Sequence, residues 1–174
     1  PAPRIDAGAT TTTAASESRS DAETTSEPPQ QVIKSLIAVL ELPLLQVMTE
    51  NQAIHTAAQN GDIAALKTEL DRGVNIDARS GNWTPLITAT ANHQREAVQI
   101  LIEHKASLNK ADNVGCTPLH YACFLGQHGI AALLLDNGAD IHARDHLGAT
   151  ALMAATSSNS PGCVALLLER KADP

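Results

Sequence analysis

The chain has 174 residues, 43% of them apolar, and a formal net charge of −7. That length supports one domain with its own core, and the acidic balance argues against nucleic acid, which asks for clustered Lys and Arg. A single Trp, a single Tyr and a single Phe leave the interior to Ala and Leu, favouring thin, closely packed layers over a globule filled by large side chains.

Residues 1–30 are Thr, Ser, Ala, Glu and Pro with Ile5 as their one large apolar side chain. Such a segment buries too little surface to offset its ordering entropy and is expected to be a disordered tail. Its five acidic residues against two basic ones are unlike a transit peptide. The chain opens on Pro1 rather than Met, as a trimmed chain would.

Residues 31–50 change character. Val32, Ile33, Leu36, Ile37, Val39 and Leu40 recur at helical spacing. Pro43 is expected to interrupt that helix because it lacks an N–H, with Leu44, Leu45, Val47 and Met48 continuing the apolar pattern. Lys34, Glu41 and Pro43 break the run too often for a membrane span. The segment reads as a helical cap or linker helix over the end of the domain C-terminal to it, or as a handle for a partner.

From residue 51 the chain repeats itself. Thr84-Pro85-Leu86, Thr117-Pro118-Leu119 and Thr150-Ala151-Leu152 stand 33 residues apart, and a fainter version begins at Gln52. A period of that length marks a solenoid of supersecondary units. Each unit reads as a helix opening, a second Leu-rich helix and a turn. Thr117 is placed as an N-cap with Pro118 in the first turn. Leu119, Ala122 and Cys123 face inward, and Gly126 ends the helix in the left-handed region. Ile130, Leu133, Leu134 and Leu135 stripe the second helix, closed by Asn137-Gly138-Ala139-Asp140.

This frame resembles the ankyrin repeat, with its TPLHxAA opening, following glycine, and second helix ending in GAD. The resemblance covers residues 51–174 in about four repeats, at 51–78, 79–110, 111–143 and 144–174. It implies an all-α repeat solenoid of antiparallel helix pairs joined by β-turn or hairpin fingers. The sequence departs from the pattern at Ile87 and Met153, where histidine is usual, and at His93 and Asn159, where the helix-ending glycine is usual. The finger around Ser80-Gly81-Asn82 is one residue short. After Lys171-Ala172-Asp173-Pro174 the family pattern would run into another repeat, so further repeats or domains of the same chain are expected beyond Pro174.

The resemblance also implies a protein partner held on a concave surface of fingers and first helices. The positions that would face it hold Trp83 and Cys116 before the helices, Asn92, Phe124 and Leu125 after the inward pair, and the finger tips Asn113, Val114, His146 and Leu147. Tyr121 lies on the same helix as Phe124. Large aromatics gathered on one face suit an interaction hot spot; Arg79, Lys110, Arg144 and Asp145 are candidates for a polar rim.

Cys116, His120 and Cys123 are spaced C-x3-H-x2-C and invite a zinc reading, but a site needs a fourth converging ligand. His120 fits a hydrogen bond to backbone across repeats, as in the family, and Cys123 and Cys163 fit small core positions. The odd count of three cysteines suits a reducing, cytoplasmic setting. No nucleophile elbow, Walker loop or HExxH is present. The reading is a non-enzymatic protein-interaction module without cofactor, metal or membrane insertion. The alternatives are the regulatory or targeting part of a longer enzyme, channel or effector and, behind it, a thiol or metal-dependent enzyme.

Overall fold

The computed structural model describes residues 47–172. The tail over 1–30, Pro43 and all but residues 47–50 of the segment 31–50 lie outside the described residues. Helix α1 is described over residues 47–60. It is followed by α2 (Ile63–Asp71), α3 (Pro85–Ala91), α4 (Arg95–Glu103), α5 (Pro118–Phe124), α6 (His128–Asp136), α7 (Ala151–Ser157) and α8 (Pro161–Glu169). The described residues contain no extended strand, only isolated antiparallel bridges at Ser80–Trp83 and Arg144–Thr150. This is the all-α solenoid of paired helices and turn fingers that the family resemblance implied. Inner helices α3, α5 and α7 stack in one layer, outer helices α2, α4, α6 and α8 in another, and each pair packs as a hairpin.

The repeat sequence produces the layers through a few positions. Thr84, Thr117 and Thr150 are the N-caps of α3, α5 and α7, with Pro85 and Pro118 in the first turn. Behind each cap, Leu86, Leu119 and Leu152 are buried, as is their counterpart Ile54 in α1. Ala57, Ala89, Ala122 and Ala155 then occupy one register position, and all four are buried. A methyl at that position lets neighbouring inner helices approach closely; a larger side chain would hold them apart. From the outer layer, Leu101, Leu134 and Leu167 close the core.

Polar side chains stitch the repeats together. Gln94 Nε2 donates to the Gln59 carbonyl at 3.1 Å, and Gln127 Nε2 to the Thr90 carbonyl at 2.8 Å. In the fingers, Asp77 Oδ1 accepts from Ser107 N–H at 3.0 Å and Asn109 Oδ1 from Asp140 N–H at 2.8 Å. His93 and Asn159 do take the left-handed backbone of the missing glycines, with φ of 59° and 53° against 69° at Gly61 and Gly126. The short finger is visible as well: its closing bond runs from Ser80 N–H to the Trp83 carbonyl, whereas the third and fourth fingers close from Asp112 to Cys116 and from Asp145 to Ala149.

Two features carry measurable consequences. Glu69 stands where the later repeats place Leu101, Leu134 and Leu167. It is buried, and its Oε1 pairs with Arg72 at 3.0 Å while Oε2 has no partner among the described residues. A desolvated carboxylate oxygen without a donor is costly, so Glu69→Leu is expected to raise unfolding free energy by about 1–2 kcal/mol in urea titration. Gly115 has φ of +86°, and a Cβ there would lie 2.7 Å from His146 N in the next finger. Gly115→Ala is therefore expected to lower stability by about 1–3 kcal/mol in the same titration.

Candidate functional site

The third and fourth fingers are built alike. Asp112 Oδ1 accepts from the N–H groups of Val114 and Cys116, both at 2.9 Å, and Asp145 Oδ1 accepts from those of Leu147 and Ala149 at 2.9 and 2.8 Å. His146 N–H donates to the Val114 carbonyl at 3.0 Å, which joins the two fingers into one ledge. Their tips are uncovered: Asn113, Val114 and His146 are exposed, and Leu147 is 94% exposed.

Beneath this ledge, between α5 and α7, lies a hollow of about 430 Å³. Cys116, His120, Tyr121 and Phe124 line one side, Asp145, Ala149, Met153, Ala154 and Ser157 the other. Phe124 is 56% and Met153 45% exposed, so both present apolar surface to solvent at its mouth. Tyr121 is pinned, its hydroxyl donating to Asp112 Oδ2 at 2.7 Å. The structure thus brings Cys116, Tyr121 and Phe124 into one wall.

It does not bring Trp83 or Leu125 into that wall. Trp83 is half-buried and stands edge-to-face against Tyr121, ring centroids 5.5 Å apart. Its other surroundings form a second, smaller hollow of about 260 Å³ between α1 and α3, with Gln52, His55, Gln59, Ser80, Thr88 and Asn92. Leu125 is the exposed C-cap of α5 and lines neither hollow. Two further contributors escape the repeat frame. The frame puts Met153 at the inward histidine position, yet it lines the hollow. Asp112 is not singled out by it, although the recurrence of Asp112-Asn113-Val114-Gly115 as Asp145-His146-Leu147-Gly148 is a signal for a finger-capping carboxylate.

The chemistry of the site is that of a surface. His120 has both nitrogens engaged: Nε2 lies 3.1 Å from the Ala149 carbonyl, and Nδ1 lies 2.9 Å from Thr117 Oγ1. A carbonyl can only accept, so Nε2 carries the proton and Nδ1 accepts. Cys123 and Cys163 are fully buried, and burial pushes both thiols above their ordinary range. The Cys116 thiol is also raised, first by burial and then by the carboxylates of Asp112 and Asp145. It is held protonated, the unreactive form.

A family model described as ankyrin repeats (three copies) matches residues 54–145 and 113–174. The chain belongs to the ankyrin-repeat family. Members of this family generally act as protein-interaction modules, and the repeat fold is typically non-catalytic. Among curated relatives, glycerophosphocholine phosphodiesterase gde1 of Schizosaccharomyces pombe is 35% identical over 45% of this chain and 7% of its own length. The human transient receptor potential cation channel subfamily A member 1 is 35% identical over 54% of this chain and 9% of its own. The B-cell lymphoma 3 protein homolog of Mus musculus is 38% identical over 40% and 16%. The similarity therefore spans less than a fifth of each of these relatives. No described helix of this ankyrin array is long and apolar enough to cross a membrane.

Two titrating groups tie the site to the stability of the array. Burial lowers the pKa of His55 below 6.5, against the pull of its bond to the Ala78 carbonyl. The unfolded chain takes up a proton near 6.5 that the folded chain refuses, so stability falls as pH drops from about 6.5 toward the depressed value. Burial would raise Asp112, but hydrogen bonds from Tyr121 and from the backbone of Cys116, Val114 and Gly115 bring it below 3.8. Its contribution is full above 3.8 and is lost as pH falls through the folded value. Thermal midpoints measured across this range are expected to decline in two stages, with His55→Asn flattening the first and Tyr121→Phe shrinking the second.

Proposed function

We propose that this protein is a binding module that holds a partner protein on its concave face. The main contacts lie at the hollow between α5 and α7. The observation that supports this most is the clustering of Tyr121, Phe124 and Met153 around a hollow whose other walls are Cys116, Ala149 and Ala154 with His120, Asp145 and Ser157. In a chain whose core is Ala and Leu, the aromatic rings stand on a surface instead of inside it. Exposed apolar clusters rimmed by polar groups mark interaction sites on soluble domains. Aromatic side chains backed by a rigid scaffold make effective anchors because little conformational freedom is lost on binding. Here the scaffold is explicit: Tyr121 is fixed by Asp112, Asp112 by the finger backbone, and the finger by its neighbour. Trp83 extends the aromatic surface toward the second hollow. Three free thiols accord with a reducing intracellular setting.

A second reading has its own support. The curated relatives align over 7%, 9% and 16% of their lengths, and by name they include a phosphodiesterase and a cation channel. The same surface then serves as the regulatory or targeting element of a longer chain, holding a partner or another domain.

Replacement of Phe124 or Met153 by Ala is expected to lower unfolding free energy by about 1 kcal/mol, well short of the cost of a core truncation, because both side chains are only about half buried. Binding of a partner identified by affinity capture is expected to weaken by about 1–2 kcal/mol per substitution in calorimetry. Leu168→Ala, at an equally exposed leucine on outer helix α8, serves as the control and leaves affinity unchanged. Equal affinities for all three variants and the wild type would remove the concave face from consideration.

A further inference from the structure

The two hollows on the concave face differ in kind. Between α1 and α3 the walls carry Gln52, Gln59, Thr88 and Asn92, groups that hydrogen-bond. Between α5 and α7 they carry Tyr121, Phe124, Met153 and Ala154. The finger above the first hollow carries Arg79, Ser80, Gly81 and Asn82 and no apolar side chain, whereas those above the second add exposed Val114 and Leu147 beside Asn113 and His146. A face graded in this way accepts an elongated ligand in one orientation only. Reversal would set apolar atoms against the amides of the first hollow and polar atoms in the apolar hollow.

Charge is also graded. Asp145 lines the apolar hollow, and Asp112 stands directly behind its Tyr121 wall. The finger arginines that would oppose them are turned onto backbone carbonyls, Arg79 onto Asn82 and Ala111 and Arg144 onto Gly148. Both carboxylates are close enough to raise the Cys116 thiol in the same wall. Asp145 is thus the acidic side chain that lines the apolar hollow, and the Arg144 guanidinium is held on the same finger by the Gly148 carbonyl.

Resting on the concave-face reading above, we infer that the occupant is an extended segment of a partner protein with a defined pattern. A large apolar side chain enters the hollow between α5 and α7. A Lys or Arg adjacent to it faces Asp145. A hydrogen-bonding side chain reaches Gln59 and Asn92 at the other hollow. The spacing comes from the fold. The hollows lie two inner-helix steps apart, about 16–20 Å at ordinary helix-packing distances. An extended chain rises about 3.3 Å per residue, so the anchor and the hydrogen-bonding residue are separated by about five or six residues.

The test is selection of random dodecapeptides displayed on phage against the 174-residue chain, followed by fluorescence anisotropy with selected synthetic peptides. The expected peptides pair a large apolar residue with a neighbouring Lys or Arg and carry Asn, Gln, Ser or Thr about five or six positions away. Met153→Glu is expected to weaken their binding at least about tenfold by placing a charge in the hollow. Asp145→Asn, which keeps the Oδ1 acceptor of the finger, is expected to weaken it roughly two- to fivefold. If Asp145→Asn lowers the thermal midpoint, salt dependence of the wild-type affinity reads the same attraction, which falls as ionic strength rises. Peptides with no basic neighbour at the anchor, no spaced polar residue, or affinities indifferent to both Asp145→Asn and salt overturn the inference. In those cases a loss on Met153→Glu leaves the concave-face reading standing. Peptides that bind Met153→Glu and Phe124→Ala as tightly as wild type overturn both. Failure to enrich any peptide over bare support overturns the inference alone.

Discussion

The structure depends on the close stacking of units that have no stability by themselves. A helix pair of this length has two flat sides, and each must be covered by the next pair. Coverage at close range requires a methyl-sized residue at one position of every inner helix, where Ala57, Ala89, Ala122 and Ala155 stand. The side chains that reach across the joints, Gln94, Gln127, Asp77 and Asn109, bond to backbone in the neighbouring unit. They set register, whereas the leucines and alanines supply most of the burial. Glu69 shows the rule by breaking it, a carboxylate in a leucine position with one oxygen unmet among the described residues.

That division of labour leaves the concave face free of structural duty except at its base. His120 and His55 look like chemical groups, but each is spent on bonds within the array. The cysteines are raised by burial instead of activated. Asp112 and Asp145 cap fingers. Shape, apolar area and a local negative charge remain accessible. These discriminate among partners by fit and by the penalty for a wrong match, and they need no reacting atom.

Much of this is legible along the chain. Recurrence of Thr-Pro-Leu and its variants at a spacing of 33 residues locates the inner helices, their caps and the inward leucines, because those positions face the same environment in every unit. The missing glycines at His93 and Asn159 are legible too, since only the backbone conformation has to be kept there, and both adopt it. Tyr121 and Phe124, three residues apart, fall on one face by helical register, and Cys116 joins them from the finger before the helix. Register misplaces Met153 because it reports an average unit; at 45% exposure this residue departs from its buried counterparts Ile87 and His120.

The sequence by itself determined the repeat, the helix caps and the inward leucine and alanine positions, since each comes from local propensity and a fixed period. The tertiary structure decided which of the remaining residues meet. It separated Trp83 from Phe124 into hollows of opposite polarity, joined them through Tyr121, and left Leu125 outside both. It also drew Asp112 behind the Tyr121 ring and coupled two fingers through a single backbone bond. The Trp83–Tyr121 and His146–Val114 contacts cross unit boundaries, and the Asp112–Tyr121 bond joins a finger to a helix within one unit; a period in one dimension carries no record of such meetings.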